Sequence, residues 1–247
     1  MTANQFYVPR LARDAARVVL QGEEHRHLAK SARVRAGETV WLFDAAGSRC
    51  LARVEAVGDG RTELAVLKWE EPEAPRTKVV LAQCLVEAKK LELLLEKAGE
   101  LGCSEFVPVV SARSLKAVEE RSGRKLDRWA RIAREAAKQS KGRTTTVVHP
   151  PRRLKDLLRE PAVGPRLFLS EHGGRPLRDI LTSPDSRAEV PPASAVILVG
   201  PKGGWTEGEE KEIRRAGFEA VTLGRRILRA ETAALAAAAM IVHFWNE

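Results

Sequence analysis

Two glycine-interrupted segments near the carboxyl end constrain this chain more than any other feature: Leu198-Val-Gly-Pro-Lys-Gly-Gly-Trp-Thr-Glu-Gly-Glu209 and Leu223-Gly-Arg-Arg-Ile-Leu-Arg-Ala-Glu-Thr-Ala233. Each follows a short apolar run, Ala195 to Val199 and Ala220 to Leu223, of the kind that forms a strand buried on both faces of a parallel sheet. Each precedes a helix. Thr206 with Glu209 makes a capping box, in which the hydroxyl accepts an amide of the first turn and the carboxylate reaches back to the cap, so a helix should begin at about Glu207. The Ala-rich helix should begin at about Glu231. Between strand and helix, Gly200, Gly203 and Gly204 let the main chain take positive φ and approach a ligand closely, and Pro201 stiffens the turn. Two such loops at the carboxyl ends of neighbouring strands are where open α/β sheets bind ligands. Taken singly, each loop reads equally as an ordinary strand-to-helix turn. Neither spells G-x-G-x-x-G, and the chain lacks G-x-x-x-x-G-K-[ST], so the common phosphate loops are excluded.

The rest of the chain supplies the frame. The stretches 17–20, 39–43, 49–57 and 61–69 read as short strands separated by turn signals, with one helix from about Glu23 to Arg33; this spacing predicts a small β-barrel. Glu70-Glu-Pro-Glu-Ala-Pro75 has no periodicity and reads as a linker, dividing the chain into residues 1–72 and 73–247. Beyond it strands and helices alternate: strand 79–85, helix 89–101, strand 106–110, helix 126–139, strand 167–170. Helices on both faces of a mostly parallel sheet follow from that order. Residues 171–194 read as a surface excursion with a short helix at 177–181.

Net charge narrows the partners. The 247-residue chain carries a formal charge of +9, which favours a polyanion, RNA before an acidic membrane surface. The longest apolar run, Ala233 to Val242, is too short to span a bilayer. Cys50, Cys84 and Cys103 are scattered and odd in number, which argues for reduced thiols in a cytoplasmic protein and against disulfides or zinc. His25 and His27 alternate without a third ligand nearby, so no metal is expected and the pair reads as solvated or RNA-facing.

The motifs Leu198-Val-Gly-Pro-Lys-Gly-Gly204, Leu223-Gly-Arg-Arg-Ile-Leu-Arg-Ala-Glu-Thr-Ala233, Lys97-Ala-Gly-Glu-Leu-Gly102 and Ala136-Ala-Lys-Gln-Ser-Lys-Gly-Arg143 together resemble the bacterial 16S ribosomal RNA uridine-N3 methyltransferases, the RsmE family of the SPOUT class. The resemblance implies an α/β fold: an N-terminal PUA-like RNA-binding β-barrel and a C-terminal SPOUT domain with a deep trefoil knot, which rules of chain connection would not suggest. It implies a homodimer acting on 16S rRNA or the small ribosomal subunit, with the Ala-rich C-terminal helix as dimer element. It also implies S-adenosyl-L-methionine as cofactor, held by Leu169, Ser170, Glu171, Val199, Gly200, Pro201, Gly203, Gly204, Leu223, Gly224, Ile227, Leu228, Arg229 and Thr232.

Methylation at uracil N3 must remove an imide proton and stabilise charge on O2 and O4, tasks for a carboxylate and an arginine. Arg229 and Glu231 are the leading pair, followed by Gln139 and Arg143. Glu231 reads equally as a structural ion pair at a helix start. Two positions depart from the family pattern: Lys202 and Lys138 stand where it usually has Glu. That keeps a noncatalytic RNA-binding assembly factor as the competing class. Clusters of basic residues suggest RNA contacts at Arg10, Arg26, Lys30, Arg33, Arg124, Arg128 and Arg131, against the alternative of solvated helix faces. Tyr7 is the only tyrosine, so recognition of RNA shape with a flipped base is expected rather than serial stacking.

Overall fold

The computed structural model describes residues 4–71, 74–114, 125–161, 163–183 and 191–246. Its contacts divide into two units, Met1–Ala74 with Ala137–Thr145, and Pro75–Ala136 with Thr146–Glu247.

Among the described residues the first unit holds five strands: β1 (Gln5–Tyr7), β2 (Arg17–Gln21), β3 (Thr39–Phe43), β4 (Arg49–Val57) and β5 (Arg61–Glu70). The four longer ones lie where alternation placed them. β1 is too short to show a period; it exists because it pairs in parallel with β3, Gln5 opposite Trp41. The ladder runs β1-β3-β4-β5-β2, so among the described residues the expected barrel is a five-stranded ladder with β1 and β2 at its ends. Phe6, Leu28, Val40, Leu42, Ala52 and Leu64 fill its core. The helix expected over 23–33 splits into an α-helical turn, Gly22–Arg26, and a π-helical turn, His27–Ser31. The π bond is explicit: the Ala32 amide donates to the His27 carbonyl at 2.9 Å. The histidines correct the solvated reading. His25 is buried with Nδ1 2.9 Å from Thr62 Oγ1, and His27 meets Phe6 edge-on at 5.5 Å; both belong to the packing of this unit.

The second unit is built on β6 (Lys78–Cys84), β7 (Glu105–Val110), β8 (Val147–Val148), β9 (Arg152–Arg153), β10 (Arg166–Leu169), β11 (Arg175–Pro176), β12 (Ser194–Val199) and β13 (Glu219–Thr222). Among the described residues every pairing is parallel. Period-two alternation fills both faces. Leu81, Leu167 and Ile197 pack on one side with Leu94, Trp129, Ala237 and Ile241 of the helices Ala88–Leu101, Leu126–Ser140 and Ala230–Asn246. Ala82, Phe168 and Leu198 pack on the other with Leu157 and Ile213 of the helices Leu154–Leu157 and Glu207–Arg215. Burial of this kind requires the near-continuous apolar strands seen in the sequence.

Strand order, β11-β13-β10-β12-β6-β7-β8, corrects one expectation. β12 and β13 are not neighbours; β10 lies between them and pairs with both. Sequence proximity of the two glycine loops concealed this, because pairing is decided by the whole sheet. The return toward β11 passes close over β13: a Cβ at Gly174 would stand 2.5 Å from the Ala220 carbonyl oxygen. Cys50, Cys84 and Cys103 are free and buried. Burial pushes Cys50 up to about 11 and Cys103 up to about 12, which keeps both protonated and unreactive.

Candidate active site

The carboxyl ends of β10, β12 and β13 open into a cavity of about 510 Å³. Its lining includes Leu169, Ser170, Glu171, Val199, Gly200, Pro201, Gly204, Leu223, Gly224, Ile227, Leu228, Arg229 and Glu231, all singled out in the sequence, together with Lys202. Gly203 and Thr232 are not part of the wall. Sequence reasoning missed Lys90, His172, Trp205, Glu210, Arg225 and Arg226. Lys90 is invisible to local motifs because it arrives on the helix after β6. Trp205 was in view as the residue following Gly204, but an indole in a loop gives no sign of which way it packs.

Packing explains the glycines of the first loop more specifically than ligand approach does. A Cβ at Gly200 would lie 3.1 Å from the Trp205 ring. Trp205 in turn donates from Nε1 to the Leu169 carbonyl at 3.2 Å, joining the loop to the end of β10. Buried Gln83 donates to the Gly200 carbonyl at 3.3 Å. Gly204 takes φ +66 and its amide donates to the Pro201 carbonyl at 2.9 Å, a turn that a β-carbon would strain. The capping box is present: Glu209 N–H donates to Thr206 Oγ1 at 3.2 Å and Thr206 N–H to Glu209 Oε2 at 3.0 Å.

The second loop turns at Gly224, φ +126. It presents Arg225, Arg226 and Arg229 as exposed cations around Ile227, which is 77% exposed. Five cationic side chains line the cavity (Lys90, Lys202, Arg225, Arg226, Arg229) against three carboxylates (Glu171, Glu210, Glu231), so the site favours an anion. Glu231 lies 3.2 Å from Lys90, which also approaches Glu87 at 3.7 Å. Its own backbone N–H, then the Lys90 ammonium with Arg229 beyond it, hold the Glu231 carboxyl below the usual range against the opposing effect of burial.

The other candidates lie elsewhere. Gln139 and Arg143 belong to the segment 137–145 that packs with the first unit, and both are exposed. Arg143 approaches Glu70 at 3.9 Å, Glu70 also pairs with Arg49 at 3.2 Å, and Gln5 donates to the Gly142 carbonyl at 2.7 Å. Lys138 is buried, its ammonium 3.0 and 3.3 Å from the two oxygens of Glu24. The ammonium that departs from the family pattern is thus answered by a carboxylate within the same unit. Lys202 is exposed on the cavity wall. Arg10, Arg26, Lys30, Arg33 and Arg131 are exposed. Arg128 forms a two-pronged ion pair with Glu92, both contacts 2.8 Å, which answers its charge locally. Arg124 lies outside the described residues. Among those residues no group of His, Cys, Asp or Glu is placed to hold a metal, and no helix is long and apolar enough to cross a membrane.

The RNA methyltransferase domain family matches residues 72–242, and the PUA domain of RNA methyltransferases matches residues 20–67. The ribosomal RNA small subunit methyltransferase E of Mycobacterium bovis is 32% identical over 256 residues, covering 100% of this chain and 95% of that protein. The Bacillus subtilis protein of the same name is 29% identical, covering 90% and 88%. Among solved structures, the ribosomal RNA small subunit methyltransferase E of Neisseria gonorrhoeae bound to S-adenosyl methionine superposes with a TM-score of 0.86 at 33% identity, covering 98% of each chain. With a cavity at the carboxyl ends of a parallel sheet and relatives matched along nearly their whole length, the chain belongs to the ribosomal RNA small subunit methyltransferase E family.

Proposed function

We propose that the cavity holds S-adenosylmethionine and that the chain methylates N3 of a uridine in 16S ribosomal RNA. The observation that carries this reading is the convergence of three strand-end loops on one cavity with Arg229 at its edge. The cavity has the size of a small-molecule site, and its walls at Gly200, Pro201, Gly204, Leu223 and Gly224 present main chain, which can recognise an adenine edge and an amino-acid moiety without a dedicated charge. Leu169, Ser170, Glu171, Val199, Ile227 and Leu228 complete the binding surface. When bound, the cofactor supplies an electrophilic methyl group on sulfonium.

The protein must make N3 nucleophilic. Uracil that has lost its N3 proton carries charge on O2 and O4, and the excess of cations on the wall favours that anion. Arg229 is the residue assigned to hold it. The Lys90 contact supports the structural alternative for Glu231: a carboxylate held low and engaged by an ammonium is a weak base. In this account Glu231 fixes Lys90 and the start of the helix Ala230–Asn246, while the N3 proton leaves to water.

The remaining features extend the same reading. Arg10, Arg26, Lys30 and Arg33 contact RNA phosphates, and Gln139 and Arg143, exposed on the segment 137–145, contact the RNA as well. The last strands thread a trefoil knot; insertion of β12 between β10 and β6, and the close passage at Gly174, support it. Two copies pair through the C-terminal helix, where Met240 and Phe244 are exposed. The protein acts in the cytoplasm, in keeping with its free buried cysteines.

Nucleoside mass spectrometry of 16S rRNA tests the reading. A deletion strain should lack 3-methyluridine and regain it on complementation. Equal amounts in both strains would refute the assignment.

A further inference from the structure

Gly203 belongs to the glycine loop yet does not line the cavity. What it faces is Arg113, from the turn that follows β7. The Arg113 guanidinium donates to the Gly203 carbonyl at 2.6 Å and to the Trp205 carbonyl at 3.3 Å. A Cβ at Gly203 would stand 3.4 Å from Arg113 Cδ and 3.9 Å from its Cβ. The turn bearing Arg113 is itself closed: Ser114 N–H donates to the Ser111 carbonyl at 3.1 Å, and Ser111 N–H to Ser114 Oγ at 3.0 Å. A second brace runs beside the first, because Ala112 N–H donates to Glu209 Oε1 at 2.8 Å while the other oxygen of Glu209 closes the capping box. One arginine and one glutamate therefore fasten the β7 turn to both ends of the segment from Gly203 to Glu209.

We propose that Arg113 is a positioning residue for the cofactor loop: by engaging the Gly203 and Trp205 carbonyls from outside, it holds the loop in its receptive shape before S-adenosylmethionine arrives. The physical basis is preorganisation. A trans peptide is rigid and planar, so fixing the Gly203 carbonyl also fixes the direction of the Gly204 amide that closes the turn on Pro201. A loop with two glycines close together is costly to order, and a contact that orders it in the free protein removes that cost from binding. Both bonds come from Nη1, whose N–H groups, held in the fixed guanidinium plane, serve the two acceptors at once. This inference rests on the reading of the cavity as the S-adenosylmethionine site.

Calorimetric titration with S-adenosylmethionine, paired with hydrogen exchange of the free protein, tests the proposal on full-length wild type, Arg113→Ala and Arg113→Lys. The expected result is about a tenfold weaker Kd for Arg113→Ala and a smaller loss for Arg113→Lys, with kcat at saturating cofactor and the KM for RNA both within about twofold of wild type. In the free protein the Gly204 and Trp205 amides of Arg113→Ala should exchange about tenfold faster, with a melting temperature close to wild type. Unchanged Kd and exchange in Arg113→Ala would overturn the proposal. So would a large drop in melting temperature shared by both variants, since that marks a general structural role. If wild type itself fails to bind S-adenosylmethionine, the reading of the cavity fails, and the exchange experiment still reports whether Arg113 orders the loop.

Discussion

The two glycine loops that frame the cavity are supported in opposite ways. The first, Gly200 to Trp205, is fastened on every side: Trp205 to Leu169, Gln83 to Gly200, Arg113 to Gly203, and a capping box immediately after it. The second, Gly224 to Arg229, extends three arginines and Ile227 toward solvent. The difference separates two tasks. A wall that must recognise one small molecule gains from being ordered in advance, whereas a wall that receives a large anion can use mobile charge and settle on contact. On this account the first loop is a cofactor wall ordered in advance, while the second lends its main chain to the cofactor on binding and its arginines to the substrate.

Substitutions in the two loops should therefore fail differently. Trp205→Ala removes a buried indole from beneath the first loop and should cost about 3 kcal/mol of stability; thermal denaturation should show a large fall, with S-adenosylmethionine binding weakened as well. If Trp205→Ala melts like wild type, the first loop is not held as described. Arg229→Ala should leave the melting temperature and the cofactor Kd nearly unchanged while lowering kcat about 100-fold, the scale of losing one group that stabilises developing charge. Near-normal turnover would remove Arg229 from that role.

Glu231 gives a smaller effect with a defined sign. Its carboxyl sits lower in the folded protein than the roughly 4.3 of an unfolded glutamate. The bond from its own backbone N–H and the Lys90 pair therefore contribute stability above that unfolded value, and the contribution is lost as pH falls through the folded one. Melting temperature measured from pH 6 to 3 should drop less steeply in Glu231→Gln than in wild type, while the shape of the neutral pH–rate profile stays the same. A lost limb in that profile would instead make Glu231 the proton acceptor. Lys202→Ala should give the mildest change, a fall of about one in the slope of log affinity for RNA against log salt. An unaltered slope would place Lys202 off the RNA path.

Local physics was legible in the sequence, and relations between distant segments were not. The Thr206–Glu209 cap could be read because both partners lie within one helical turn, and the strands of the second unit could be read because burial on both faces forces apolar runs. The position of β10 between β12 and β13 could not be read, since it depends on the ordering of the entire sheet. Charges were hardest of all. Arg128 and Glu231 each carried a functional and a structural reading, Lys138 stood as a departure from the family pattern, and each has a partner far away in sequence: Glu92, Lys90 and Glu24. The histidines erred for the same reason, because Thr62 and Phe6 are what make them part of a core.

The division of labour between the loops is tested most directly by hydrogen exchange of the full-length protein with and without S-adenosylmethionine. The account predicts that the first loop, Gly200 to Trp205, is already protected in the free protein and gains little, whereas amides of Leu223 to Leu228 gain strong protection when the cofactor binds. Protection that leaves both loops untouched, or a first loop that is unprotected until cofactor is added, would contradict it.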